Sequence, residues 1–250
     1  MKSNLKIQFL SPYKFLSDKF YSKVSLVNFP ETKIRFRNKN FEEFGQLDDT
    51  DWINLLGKFH SKYLPLNGNL AMKYHGHQFR VYNPEIGDGR GFTIAQFYKN
   101  KKWYDFGTKG SGKTLYSRTG DGRLTLKGGV REVLCSSYLD AIGLNTSQSL
   151  SLIETGESLY RNDEPSPTRS SVLVRISHSH IRIGTFQYHA YHQDNTSLEN
   201  LMKSIGKYYF SFKDSENTAL NFFSKVVKNC ANLAASYNIF GFVHGVLNTD

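Results

Sequence analysis

Residues 68–128 hold 11 of the chain's 20 glycines. Each interior glycine weakens a helix by about 1 kcal/mol, so this stretch cannot be a run of long helices. It reads instead as short strands joined by tight turns. The tetrapeptide Gly-Asp-Gly-Arg occurs at 87–90 and again at 120–123, but two copies of four residues do not make a structural repeat. Residues 1–45 look irregular, with short extended pieces. Asp48 to Thr50 can cap a helix running through Trp52, Leu55, Leu56 and Phe59. Gly128 and Gly129 precede a helix with Val130, Val133, Leu134, Ser137 and Ala141 on one face, ended by Gly143. Residues 148–160 and 170–187 read as strands, the second with a β-branched run over 171–177. The segment 162–169 between them has two prolines and reads as a loop.

A helix is expected near 196–210 and a longer one over 217–239. In the longer one Leu220, Phe223, Val227, Cys230, Ala231 and Ala234 would face inward, and Gly241 would end it. Strands first and helices afterwards predict an α+β fold. The expected division is an amino-terminal extension over 1–66, a strand-rich lobe over 67–190 and the start of a helical lobe over 191–250. The last part is short, so its long apolar-faced helix has few elements to cover it.

A chain of 250 residues suffices for one large domain or for two lobes with a shared cleft. A hydrophobic share of 39% and an aromatic share of 14% allow a substantial core and exclude a disordered chain. No run of about 18 apolar residues occurs, so no membrane span is expected. The first residues show no secretory signal. Cys135 and Cys230 are expected to be buried thiols in a reducing compartment, which makes the expected location cytoplasmic. The net charge of +10 admits nucleic-acid or membrane binding. No block of five like charges appears, however, and scattered surface lysines account for the charge. No nucleic-acid or membrane partner is therefore expected. The arginines are more telling. Arg90, Arg118, Arg123, Arg131, Arg175 and Arg182 occupy the middle of the chain, most of them near glycines. That placement suits a polyphosphate ligand better than a long polyanion.

Two segments compete for a phosphate. Gly107-Thr-Lys-Gly-Ser-Gly112-Lys113-Thr114 matches the P-loop pattern GxxxxGK[ST], in which backbone N–H groups cradle phosphates and the lysine neutralises them. A P-loop must follow a buried strand and open a long helix. Here Gly120 and Gly122 follow almost at once, and Lys101–Phe106 is not the apolar strand of a parallel sheet. The other segment uses Lys109 at a strand end with Glu132, 23 residues later, on the next helix. A kinase-like site needs a strand lysine at the phosphates and a helix carboxylate to fix its rotamer. On spacing alone these two read as ordinary surface charges. The arginines, together with Gly87, Gly89 and Gly122, which let backbone approach a phosphate, shift that balance.

Taken together, His77-Gln-Phe, Asn83-Pro, Gly87–Arg90, Lys109–Gly112, Tyr116–Arg118, Gly120–Arg123, Arg131-Glu132, Arg175, Ser179–Arg182, Gly184, Gly241-Phe, His244-Gly and Asn248–Asp250 resemble the selenoprotein O (SelO) family of protein adenylyltransferases. The resemblance implies a protein-kinase-like (pseudokinase) fold with the nucleotide bound in a flipped orientation. It implies AMP transfer from ATP to Ser, Thr or Tyr hydroxyls of proteins. Lys109 would contact phosphates, braced by Glu132. Gly87, Gly89, Arg90, Asp121 and Gly122 would line the ATP, Arg175 and Arg182 would grip its phosphates, and Asp250 would accept the hydroxyl proton. Leu115 stands where the family usually has proline, and Arg80 replaces a usual glycine.

The family's Mg2+ ligands, an asparagine just after the match to Asp250 and an aspartate further on, lie beyond the chain end, as does the rest of the carboxyl-terminal lobe. The expectation is thus a truncated fold, inactive alone for want of metal, with several kcal/mol of transition-state stabilisation lost. A second polypeptide supplying the missing lobe would complete it. The alternatives are a non-catalytic nucleotide-binding remnant of a split or decayed gene, and a P-loop NTPase.

The pairs His75/His77 and His178/His180 could suggest zinc or iron. No Cys or Asp/Glu cluster accompanies them, and they read as structural or surface histidines. His189 and His192 read as a polar strand end or loop. Cys135 and Ser136 form no nucleophile elbow. The aromatics of 208–212 could stack bases but read as core.

Overall fold

The computed structural model describes residues 5–59, 64–65 and 68–250. Ten strands are β1 (Tyr21–Lys23), β2 (Lys33–Arg37), β3 (Leu70–Met72), β4 (Gly76–Gln78), β5 (Val81–Asn83), β6 (Thr93–Lys99), β7 (Lys102–Lys109), β8 (Leu124–Thr125), β9 (Gln148–Leu159) and β10 (Thr168–Ser177). The helices are α1 (Asp49–Leu56), α2 (Leu126–Ala141), α3 (Ile183–Tyr191), α4 (Asn195–Tyr208) and α5 (Ala219–Ile239). Seven strands run in the order β1-β3-β6-β7-β10-β9-β2, every pair antiparallel, and β8 adds to β10. The strands β4 and β5 form a separate hairpin. An antiparallel sheet followed by helices is the expected α+β layout. β1 and β2, from the expected extension, are strands of this same sheet. The expected boundary at 66–67 lies outside the described residues.

Alternation along β9 and β10 makes the sheet two-faced. Ile153, Val172, Val174 and Ile176 point to a core shared with Phe9, Phe44, Trp52, Leu55 and Leu56. Leu152 and Leu173 point the other way, onto Leu124 and Val133. Helix α1 begins where its cap was expected: the Asp48 carboxylate accepts from Asp51 N–H at 2.8 Å, worth about 1 kcal/mol. The fully buried Trp52 ties it to the sheet, its indole N–H donating to Ser151 Oγ at 2.9 Å. A third core gathers Tyr13, Phe20, Leu70, Met72, Leu201, Ile205 and Phe222 under the helices. Tyr209, Phe210 and Phe212 pack on it, so the 208–212 aromatics are largely core.

Four expectations are corrected. Helix α2 starts at Leu126, capped by Thr125, so Gly128 and Gly129 lie inside it. A Cβ at Gly129 would come within 2.5 Å of Leu152 Cδ1; the missing side chain lets α2 close on the sheet. Its buried face is Gly129, Val133 and Leu139, whereas Val130, Leu134, Ser137 and Ala141 are exposed. Second, the strand over 170–187 ends at Ser177, and 183–191 is helix α3, burying Thr185 and His189 one turn apart. Tertiary packing outweighs the β-branched bias of Ile181 and Ile183. His189 is thus a buried helix residue, with its ring 4.4 Å from that of Phe20.

Third, Leu220, Phe223, Val227, Cys230 and Ala231 on α5 face solvent, Ala234 is half-buried, and of the helix only Phe222 is buried. The helix packs on α4 and Phe186 near its start, and among the described residues most of its remaining face is exposed. Fourth, Cys135 and Cys230 are both exposed. Among the described residues no helix is long and apolar enough to cross a membrane.

Candidate functional site

Register places the charged residues on one sheet face. Lys109 stands opposite Leu173 and Gly107 opposite Arg175, so Lys109, Gly107 and Arg175 share the face that α2 covers. Beside α2 this face opens into a cleft of about 960 Å³. Its lining includes Gly87, Gly89, Arg90, Lys109, Asp121, Gly122, Arg175, Arg182 and Asp250, residues that come from widely separated parts of the chain. Glu132 on α2 completes the set from behind: Lys109 Nζ pairs with its carboxylate, and Arg175 Nη1 lies 3.6 Å from its other oxygen.

Burial lowers the Lys109 ammonium to about 8, Glu132 opposes that shift, and Arg175 and Arg90 add to it. For Glu132 burial acts upward, but Arg175 and Lys109 outweigh it and hold the carboxyl below its usual range. The pair is therefore ionised at neutral pH and surrounded by surplus positive charge. Arg182 sits over the Tyr74 ring at 4.8 Å and 3.5 Å from Asp88. Burial pushes Asp88 up, with Arg182 pulling it back. The Nε atoms of Arg175 and Arg182 are buried and have no hydrogen-bond partner among the described residues. Buried N–H groups left in that state cost about 1–3 kcal/mol each, and an anion between them would remove the penalty.

The glycine loops form the cleft's other wall. Gly87 and Gly89 lie against Tyr116, and Gly112 N–H donates to Gly122 O at 3.2 Å. Asp121 accepts from Arg123 N–H at 2.9 Å and from Arg161, which reaches across from the β9–β10 turn. Arg90 is exposed at the rim. Of the remaining arginines, Arg118 lines the cleft, Arg123 is bound to Glu157 at 2.8–2.9 Å, and Arg131 points to solvent. The P-loop geometry is absent. Residues 113–123 form turns rather than a helix, and Lys113 is exposed and outside the cleft lining.

Asp250 is anchored from the β4–β5 hairpin. Gln78 Nε2 donates to its Oδ2 at 3.0 Å, and His77 N–H donates to Thr249 Oγ1 at 2.7 Å. Its Oδ1 is buried and unpaired among the described residues. The hairpin turn holds Phe79 at φ 51° and Arg80 at φ 68°. Arg80 thus occupies the left-handed region that glycine enters freely.

The metal fits this residue set poorly. No group of three His, Cys, Asp or Glu side chains able to hold one is found among the described residues. Asp88 is engaged by Arg182 and by Met72 N–H at 3.0 Å, which leaves Asp250 with the free oxygen. His75 is a buried structural residue bonded to Tyr82 OH at 2.8 Å, and His77 bonds Gln187. Sequence reasoning singled out neither Asp88 nor Arg161. Asp88 lay inside a quoted motif, and nothing local marks Arg161.

A sequence profile described as "Protein adenylyltransferase SelO" matches residues 3–250. The chain belongs to the SelO family. Among SelO-family relatives, a protein named protein nucleotidyltransferase YdiU from a Synechocystis species is 47% identical over 245 residues, covering 94% of this chain and 50% of its own length. The Gloeobacter violaceus protein of that name is 46% identical over 254 residues, covering 98% and 52%. The Vibrio cholerae one is 37% identical over 214 residues, covering 84% and 42%. This SelO-family chain therefore spans about half the length of the curated relatives it matches.

Proposed function

We propose that this chain carries the nucleotide-binding half of a protein adenylyltransferase, which moves AMP from ATP to a Ser, Thr or Tyr hydroxyl of another protein. The observation that carries the reading is the Lys109–Glu132 ion pair on the cleft wall, flanked by Arg175 and Arg182 with unpaired guanidinium N–H groups. In the reading, Lys109, Arg175 and Arg182 hold the phosphates, Glu132 fixes the lysine rotamer, and Gly87, Gly89, Arg90, Asp121 and Gly122 line the rest of the nucleotide in a kinase-like, flipped arrangement. Asp250 takes the acceptor proton through its unpaired Oδ1. The hydroxyl oxygen then bonds to the α-phosphorus, the α–β bridging P–O bond breaks, and pyrophosphate leaves. The guanidinium groups stabilise charge as it develops on that leaving group.

Magnesium belongs to the proposed reaction, but no group of side chains able to hold it is found among the described residues. AMP transfer by the polypeptide of this sequence is thus expected to need ligands from outside it, whether the rest of a longer chain or a second polypeptide. ATP binding does not need them. Calorimetry on the 250-residue polypeptide tests the reading: ATP binds, Lys109→Ala weakens binding at least tenfold, and Lys113→Ala leaves it unchanged. The reverse pattern, with Lys113 critical and Lys109 dispensable, would select a P-loop instead.

A further inference from the structure

His180 lies between β10 and α3, and its ring lines the cleft beside Arg175 and Arg182. Its backbone N–H donates to the buried Asp105 carboxylate at 2.6 Å, which fixes the loop to β7. The ring sits flat against the sheet: a Cβ at Gly107 would be 2.5 Å from His180 Cε1 and 2.8 Å from Nδ1. Any side chain at 107 would expel the imidazole, so the glycine makes its seat. Gly107 is also the cross-strand partner of Arg175, which puts the imidazole next to that guanidinium. Yet both ring nitrogens are buried without a hydrogen-bond partner among the described residues. Burial, and then the charges of Arg175 and Arg182, push the imidazole well below its usual range. The ring is therefore neutral, with one N–H to give.

We propose that His180 is the uncharged member of the phosphate grip, donating its ring N–H to a phosphate oxygen held between Arg175 and Arg182. The proposal rests on the nucleotide-binding reading of the cleft and deepens it. A third cation at this spot would be repelled by two guanidinium groups and would hold a departing pyrophosphate too tightly. A neutral donor adds direction without either cost. The recognised chemistry is a polyphosphate chain rather than a nucleoside.

The test uses the 250-residue chain with ATP, tripolyphosphate and adenosine as probes. His180→Ala should weaken ATP and tripolyphosphate by roughly tenfold, the worth of a buried hydrogen bond to a charged group, and leave adenosine unchanged. Either His180→Asn or His180→Gln should recover most of the loss, because an amide N–H can replace the lost donor. In ¹⁵N-histidine-labelled wild type, the ring signal missing from His180→Gln should shift on adding tripolyphosphate and keep its neutral pattern from pH 6 to 8. Unchanged ATP affinity in a folded His180→Ala while Lys109→Ala abolishes it would sink this proposal alone, as would a ring signal indifferent to tripolyphosphate. Failure of the wild-type chain to bind either ATP or tripolyphosphate would remove the underlying reading as well.

Discussion

Arg161 reaches from the β9–β10 turn to Asp121 in the glycine loop and forms two contacts, Nη2 to Oδ1 at 2.9 Å and Nη1 to Oδ2 at 2.8 Å. Burial acts upward on the Asp121 carboxyl, and Arg161 and the Arg123 N–H overcome it, leaving the group ionised and oriented. In the proposed reading Asp121 lines the nucleotide, and Arg161 determines which way its oxygens face. Asp121→Ala and Arg161→Ala should each weaken ATP binding by a few-fold. The double variant should be no worse than the poorer single one, because both remove the same device. A double-mutant cycle in ATP affinity checks this; strict additivity would show that the pair does not act as a unit.

Lys109 gives a pH dependence with a definite sign. Its ammonium is lowered to about 8 by burial. Approaching phosphates favour the charged form, so ATP binding near pH 8 must take up a proton. Affinity is therefore full below pH 7 and declines as pH rises through 8. Calorimetry in two buffers of different ionisation enthalpy should record proton uptake near pH 8, and Lys109→Arg should abolish it. For stability the same shift acts as follows: burying the ammonium is a penalty below pH 8, relieved progressively between 8 and the unfolded value of 10.5.

Arg80 adopts φ 68° at an exposed turn and makes no ion pair among those found for the described residues. A left-handed backbone costs a non-glycine residue about 1–2 kcal/mol, partly offset by the unfolded-state freedom that glycine adds. Arg80→Gly should stabilise the chain by about 0.5–1 kcal/mol, read as a higher urea midpoint with an unchanged slope. A lower midpoint would mean that Arg80 makes a contact stronger than the strain it bears.

The outward face of α5 carries Leu220, Phe223 and Val227, with 75%, 67% and 50% of their surface exposed. Replacing all three with glutamate removes no buried contact. The melting temperature should stay within about 2 °C, while solubility by light scattering should rise. A melt lowered by more than that would mean these side chains are covered, by a second copy or by another segment.

Much of the candidate site was legible because a phosphate ligand would demand particular residues near glycines: Lys109, Arg175 and Arg182 line one cleft, with Glu132 paired to Lys109 behind it. Helix placement was less legible for three physical reasons. Gly128 and Gly129 read as preceding the helix, but at 129 the missing side chain lets the helix close on a neighbouring strand. Ile181 and Ile183 read as strand, but packing under α3 decides otherwise. The apolar stripe of α5 reads as core in any sequence, because periodicity reports that a face wants cover, not that cover is present. Arg161 and the Asp105 anchor of His180 were invisible, since their partners lie 40 and 75 residues away.

The contact of Gln78 with Asp250 has a consequence for alignment. In the proposed reaction the carboxylate that receives the proton is steered by the β4–β5 hairpin next to the nucleotide cleft, while α3 holds the neighbouring Thr249, Gly184 N–H donating to its carbonyl at 2.8 Å and its hydroxyl donating to Gln187 Oε1 at 2.6 Å. Acceptor and donor would then share one frame of reference. Damage to the β4–β5 hairpin should scatter the trajectory of attack while the nucleotide remains in place.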